Sequence, residues 1–191
     1  MGPGRDKAME IVAGQTALSR VVGVLAASCG DVVVVATPGQ SLPTIAAPGR
    51  RTDDPAESAR QGPLRGLATG LEQLADAGIE TAYLAACDSI TVSTPHVEFM
   101  FAALDAEPEV AAVVPVSEGD HAHPLAAVVR VVPARDAAHA LLAQGRRAAR
   151  ALLSQLSTRQ IDAASLPDPR VLLPTNTPEQ WADATRALER S

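Results

Sequence analysis

Four consecutive valines constrain this chain more than any other feature. The stretch "DVVVVATPG" sets Val32, Val33, Val34 and Val35 between Asp31 and the Pro38-Gly39 turn. All four are β-branched and no polar residue alternates with them, so the run is expected to form a strand buried on both faces. Such a strand needs helices above and below it. That requirement points to an α/β fold: a three-layer, Rossmann-like, mostly parallel sheet.

The neighbouring segments supply the helices. In "TALSRVVGVLAA", Leu18, Val21, Val22 and Leu25 recur at helical spacing, with Thr16 placed to cap the first free N–H groups. Residues 40–61, rich in Pro, Arg and Asp, read as a long irregular connection of the kind usually kept for function. "GPLRGLATGLEQLADAG" opens with Pro63 in the first turn and closes at Gly78. "TAYLAACDS" is expected to be a strand ending in Asp88. A further helix starts at Thr94-Pro95 and turns Val97, Met100, Phe101 and Leu104 inward. "VAAVVPV" and "PLAAVVRVV" read as an antiparallel strand pair joined by a short polar link. Helices over 134–144 and 147–156 follow, then short strands near 160–163 and 170–173. Thr177, Pro178 and Gln180 have the pattern of a capped final helix.

Composition narrows the function classes. A length of 191 residues with 47% hydrophobic and 20% charged side chains suits one sizeable core, so a single domain over 1–191 is expected. With 22 acidic and 16 basic residues the net charge is -6, which argues against wrapping a polyanion but leaves room for a small phosphate pocket. One Trp, one Tyr and two Phe offer no platform for stacked bases, so nucleic acid is not expected as a partner. Cys29 and Cys87 read as reduced, mostly buried thiols, with a disulfide as the minor alternative. The apolar runs are too short to span a bilayer, and a cytoplasmic monomer is expected.

Chemistry is sought beyond the carboxyl ends of strands. Asp88 has no adjacent Lys or Arg, so a divalent cation is one partner for it; capping the next turn is the other reading. Lys7, in "MGPGRDKAME", either places a mobile charge on a phosphate or is a solvated surface residue. Gly62 and Gly66 around Pro63 allow a nucleotide close to a helix N-terminus, or mark an ordinary helix start. Asp53 and Asp54 can accept from a base or sugar, or simply be solvated. His121 and His123 lack a third ligand and read as loop residues. Arg146, Arg147 and Arg150 form either a phosphate patch or the exposed side of a helix.

In order along the chain, "MG…RDKA", "GPLRGL", "LAACDS", "HPLAAVVR", "GRRAARALL" and "LPTNTPEQ" resemble the molybdenum cofactor guanylyltransferases. These belong to a wider nucleotidyltransferase group with a nucleotide-sugar-transferase-like fold. The resemblance implies Mg²⁺-dependent transfer of GMP from GTP to the terminal phosphate of molybdopterin, with pyrophosphate leaving. Lys7 matches the family's nucleotide-binding lysine and Gly2 the last glycine of its loop. Asp54, with Asp53 beside it, matches the aspartate before G-P-L that contacts the guanine nucleotide. Asp88 matches the aspartate that binds Mg²⁺ and nucleotide, and Asn176 an asparagine near the catalytic cleft. Holding the pterin phosphate is inferred for the three arginines. Use of CTP or another phosphorylated acceptor, and a non-catalytic binding role, stand as alternatives.

The chain also departs from the family pattern. C-D-M-P appears as Cys87-Asp88-Ser89-Ile90, without the proline that stiffens the turn; an asparagine is replaced near Thr37, and another by Pro174. In the family a strand and a loop L-x-G-G-x-S-x-R-M-G-x-D-K come first. The resemblance therefore implies a strand and half a loop ahead of Met1. Without a central strand, apolar side chains worth roughly 1.5–3 kcal/mol each would be exposed, against a total stability of about 5–15 kcal/mol.

Overall fold

The computed structural model describes residues 6–46, 48–55 and 62–189. Gly2 lies outside them. After a 3₁₀ turn at Lys7–Met9, β1 (Ile11–Val12) and β2 (Gln15–Thr16) form a hairpin, pairing antiparallel around Ala13 and Gly14. Both turn residues have positive φ, 47° and 81°, as a tight two-residue hairpin demands. The first helix, α1 (Ala17–Ser28), follows at once, and the Thr16 hydroxyl accepts from the Ser19 N–H at 3.2 Å. Leu18, Val21, Val22 and Leu25 are its buried face, as their spacing predicts.

The valine run forms β3 (Val32–Ala36), paired in parallel with β4 (Gly49–Asp53) from Val32 opposite Gly49 to Ala36 opposite Asp53. Residues 40–61 are thus not wholly irregular. A Gly-Arg-Arg-Thr-Asp segment carries no apolar alternation, and it becomes a strand only because β3 offers its backbone an edge. Gly49 is required there, since a Cβ would stand 2.5 Å from Ile45 Cγ2 and 2.9 Å from the Ala46 oxygen.

Next come α2 (Pro63–Asp76), β5 (Thr81–Tyr83) and α3 (Thr94–Asp105). Pro63 and Gly78 sit where the sequence places them, Gly78 with φ of 73°. Of the inner face expected for α3, Val97, Met100 and Leu104 are buried, Phe101 is half-buried, and His96 joins them. Then β6 (Ala112–Ser117), β7 (His121–Ala122) and β8 (Val128–Arg130) lead into α4 (Val131–Ala143), the single turn α5 (Arg150–Leu153), β9 (Thr158–Asp162) and α6 (Pro178–Glu189).

Three expectations fail locally in this half. The "PLAAVVRVV" segment divides into a 3₁₀ turn, a three-residue strand and the start of α4, because Val131 and Ala134 are buried as helix residues. The helix expected over 147–156 shrinks to α5. Residues Pro169–Leu172 form a 3₁₀ turn rather than a strand, capped by the Asp168 carboxylate on the Arg170 N–H.

β8 pairs antiparallel with both β5 and β6, β7 with the end of β6, and β9 runs parallel along Ala112 to Val116. The result is a mixed α/β arrangement with parallel pairs and antiparallel strands. α2 and α4 pack through Leu64, Leu71 and Leu141; α1 and α3 meet near Val22 and Val97.

β3 and β5 belong to separate sheets. Between them opens a cavity of about 740 Å³, lined along its length by residues 32–35 and 81–86. Val33, Val34 and Val35 are only half-buried in consequence. The expectation of a strand buried on both faces is corrected: helices cover β3, but its edge away from β4 faces this opening.

Candidate functional site

Asp88 is not at a strand end. β5 stops at Tyr83, and Asp88 sits in a turn closed by the Ser89 N–H on the Ala86 oxygen at 3.1 Å. The Ser89 hydroxyl accepts from the Ala86 N–H at 3.2 Å, and Ile90 is fully buried, its carbonyl accepting from Arg20 Nε at 2.7 Å. These contacts hold the turn in place of the missing proline. Ser89 and Ile90, read as a weakness in the sequence, act here as the turn's own anchors.

Lys7 opens a 3₁₀ turn, Lys7–Met9, seated by the buried Ala8 and capped by Asp6, whose carboxylate accepts from the Ala8 N–H at 3.1 Å. From there Lys7 Nζ donates to Asp88 Oδ2 at 2.5 Å and to Asn176 Oδ1 at 3.2 Å. The Lys7 and Asp88 side chains are 26% and 17% exposed, so the pair is partly shielded but reachable. Asn176 is placed by α6. Gln180 Oε1 accepts from the Asn176 and Thr177 N–H groups at 3.0 and 3.2 Å, and the Thr177 hydroxyl accepts from the Gln180 N–H. Three sequence-predicted residues, drawn from the start, middle and end of the chain, therefore meet at one point.

A second group surrounds the start of α2. Asp54 accepts from the Thr69 hydroxyl at 2.6 Å and its N–H bonds the Ala36 oxygen at 2.8 Å. Asp53 pairs instead with Arg51 at 2.7 Å. Gly62, with φ of 72°, lies against Arg147: a Cβ would come within 2.9 Å of the Arg147 oxygen, which accepts from the Leu64 N–H. Arg146, Arg147 and Arg150 are all exposed, between and at the start of the flanking helices.

Sequence reasoning missed the link between the two groups. Arg51 donates to the carbonyls of Gln40 and Thr37 at 2.9 and 3.4 Å, and Gln40 Nε2 donates to Asp6 Oδ2 at 3.1 Å. The turn after β3 is thereby tied to the cap of the Lys7 turn. Its only signal was the Pro38-Gly39 punctuation.

Desolvation, then the carboxylates of Asp88 and Asp6, push the Cys87 thiol up to about 11, although the residue itself is exposed. Both effects disfavour the thiolate, the form that acts as a nucleophile. Cys29 is half-buried and both cysteines are free, so neither is as buried as expected. His123 bonds Ser117 at 3.0 Å and stands edge-on to His121; His123 lies outside any strand, as expected, but His121 begins β7, opposite Ser117, rather than lying in a loop. Among the described residues no three His, Cys, Asp or Glu side chains converge on a metal position, and no helix is long and apolar enough to cross a membrane.

Residues 1–161 match the profile of the MobA-like NTP transferase domain. A Mycobacterium avium protein named "probable molybdenum cofactor guanylyltransferase" is 34% identical over 162 residues, covering 85% of this chain and 77% of that protein. The Mycobacterium tuberculosis protein of the same name is 40% identical over 87 residues, 44% of this chain, and the match spans 41% of that protein's length. Among solved structures, molybdopterin-guanine dinucleotide biosynthesis protein A from Archaeoglobus fulgidus has a TM-score of 0.74 at 17% identity, over 98% of this chain and 93% of that one. A Thermus thermophilus 2-C-methyl-D-erythritol 4-phosphate cytidylyltransferase reaches 0.71 at 18%, over 97% and 94%. At these identities the two structures speak for the fold alone.

Proposed function

Because this chain belongs to the MobA-like NTP transferase domain family, we propose that it transfers a nucleotidyl group to a phosphorylated acceptor, most specifically GMP from GTP to the phosphate of molybdopterin. In that reaction an acceptor phosphate oxygen bonds to the α-phosphorus of GTP. The bond from the α-phosphorus to its bridging oxygen breaks, and pyrophosphate leaves with the electron pair. Such a transfer asks the protein for charge and alignment rather than covalent help.

The observation that carries this reading is the convergence of Lys7, Asp88 and Asn176. Lys7 supplies a mobile point charge for the triphosphate. Asn176, a neutral acceptor, steadies the ammonium without cancelling it, as a second carboxylate would. One carboxylate at this point suits Mg²⁺, which commonly binds through one or two carboxylates together with substrate phosphates and water. Asp88 would hold the ion, with Lys7 turning from Asp88 toward the phosphates. The bound ion would spread the charge that develops on the reacting oxygens. Asp54, fixed by Thr69, would offer a rigid acceptor for the nucleotide's base or sugar beside the start of α2, where Gly62 lets the Arg147 backbone pack closely. Arg146, Arg147 and Arg150 would receive the acceptor phosphate.

Thermal stabilisation by nucleotides tests this directly. With Mg²⁺ present, GTP is expected to raise the melting temperature and CTP to raise it less, and Asp88→Asn is expected to remove the part of the GTP effect that depends on Mg²⁺. A larger response to CTP would assign a cytidylyl donor; no response to either would leave a binding or scaffold role.

A further inference from the structure

The three segments that meet at the Lys7 corner meet a second time, in a small apolar cluster. Val12, Ala17, Ile90, Trp181 and Ala184 are its buried members, with Leu173 and Leu188 packed against them. Lys7 leads through its 3₁₀ turn into the hairpin and Val12, the Asp88 turn runs directly into Ile90, and Asn176 leads through the cap of α6 to Trp181. Ala17 opens α1 and its N–H bonds the Glu10 oxygen at 2.7 Å, while Arg20, further along the same helix, holds the Ile90 carbonyl. Polar corner and apolar cluster are thus two sides of one junction.

Of the three segments, α6 depends most on this cluster. The hairpin and the Asp88 turn are also held by β1–β2 pairing, by Ser89 on Ala86 and by Arg20 on Ile90. α6 has two buried residues, Trp181 and Ala184, and both belong to the cluster. Trp181 is by far the larger, and an aromatic side chain of its kind buries roughly 150–250 Å². It follows Gln180, whose Oε1 accepts from the Asn176 and Thr177 N–H groups, and its own N–H bonds the Thr177 oxygen at 2.9 Å. The stretch from Asn176 to Trp181 is therefore one unit, and a shift of the indole carries the Asn176 amide with it. Arg170 bonds the Ala187 oxygen at 3.2 Å, but at the far end of the helix, where it does not fix the first turn. From the seat that Trp181 provides, Asn176 Oδ1 reaches Lys7 Nζ at 3.2 Å.

We propose that Trp181 is a positioning residue for nucleotidyl transfer: seated in the cluster with Ile90 and Val12, it presents Asn176 to Lys7 and so fixes the direction of the ammonium at the reacting phosphates. Given transfer at the Lys7 corner, on which this role rests, the indole touches neither substrate nor metal and acts only through Asn176. Without it Lys7 keeps its carboxylate partner Asp88 but loses the neutral acceptor that steadies it, and alignment at the α-phosphorus suffers. Asp54, held by Thr69 of α2, stands on other elements and keeps its place. The effect of Trp181 therefore falls on kcat and spares the KM for GTP.

Pyrophosphate release from GTP, with Mg²⁺ and molybdopterin as acceptor, tests this in the full chain. Trp181→Leu, which keeps an apolar filler, and Asn176→Ala are each expected to lower kcat about tenfold while KM for GTP changes by less than about twofold, and the double variant to fall no further than either alone. Trp181→Phe should restore most of kcat. Leu104→Ala, in a different buried cluster, controls for lost stability and should keep kcat near the wild-type value. Losses that multiply in the double variant, a KM that rises as much as kcat falls, or an equal loss in Leu104→Ala would each overturn the role of Trp181. Amide exchange of the nucleotide-free protein reads the same seat without turnover: the Asn176 and Thr177 N–H groups should exchange about tenfold faster in Trp181→Leu than in Leu104→Ala. Equal exchange in the two would overturn the proposal even in an active enzyme. Faster exchange in a protein that turns over neither GTP nor CTP would uphold the seat and overturn the transfer reading alone.

Discussion

The Lys7 corner and the valine cleft are built from opposite materials and are in opposite states. At the corner, polar groups from three distant segments satisfy one another: an ammonium, a carboxylate and an amide, each seated by a capped turn. In the cleft, Val33, Val34 and Val35 stand half-buried, and among the described residues the facing edges of β3 and β5 pair with no strand. The contrast teaches that chemistry and stability are held apart here. The corner is built of polar groups at turns, and the cleft of apolar side chains on strands and helices.

Breaking the corner should produce the largest effect. Lys7→Ala is expected to lower kcat/KM for GTP by about 10²–10³-fold, while leaving the melting temperature within a few degrees, since a partly exposed pair contributes only about 1 kcal/mol or less. Steady-state kinetics beside a thermal melt would separate the two, and a large fall in melting temperature would erase the contrast. In the packed core, Leu152→Ala should cost about 2–4 kcal/mol in urea unfolding. Val34→Ala, on the open edge, should cost under about 1 kcal/mol.

Smaller effects sharpen the picture. Gln180→Ala removes the acceptor shared by Asn176 and Thr177 and should cost about 1 kcal/mol through the lost cap. A several-fold loss of activity is expected beside it, because Asn176 is no longer fixed. Smallest is a pH effect. Burial lowers the pKa of His96, outweighing the raising effects of the Ala126 backbone and of Asp168. The unfolded chain then takes up a proton before the folded one does, so stability should be constant above about pH 6.5 and decline as the pH falls below it. A His96→Gln variant should make that decline shallower in urea titrations run from pH 7.5 to 5.5, with His123, also lowered by burial, contributing the remainder.

Local punctuation was legible in the sequence because its physics is local. The Thr16 cap, Pro63 with Gly78, and the Thr177–Gln180 box depend on neighbours within four residues, and each stands where it was expected. Lys7, Asp88 and Asn176 were legible by resemblance, and the structure brings them into contact. What was not legible depends on partners far along the chain. β4 has a polar, edge-strand sequence that becomes a strand only beside β3. The Arg51–Gln40–Asp6 link uses side chains that look like ordinary loop residues. Val33 to Val35 looked fully buried because a sequence shows how apolar a strand is and not whether both its edges are paired.

The bond from Lys7 to Asn176 joins residues 169 positions apart in a chain of 191, and the one to Asp88 joins residues 81 apart. During synthesis at the ribosome, Lys7 and Asp88 are both exposed to the cell long before Asn176 is made, and α6, which orients Asn176, comes later still. A nascent chain can therefore hold half of the corner but never the whole. If the corner binds a nucleotide as proposed, one caught before Asn176 is made would meet only the Lys7–Asp88 half of it.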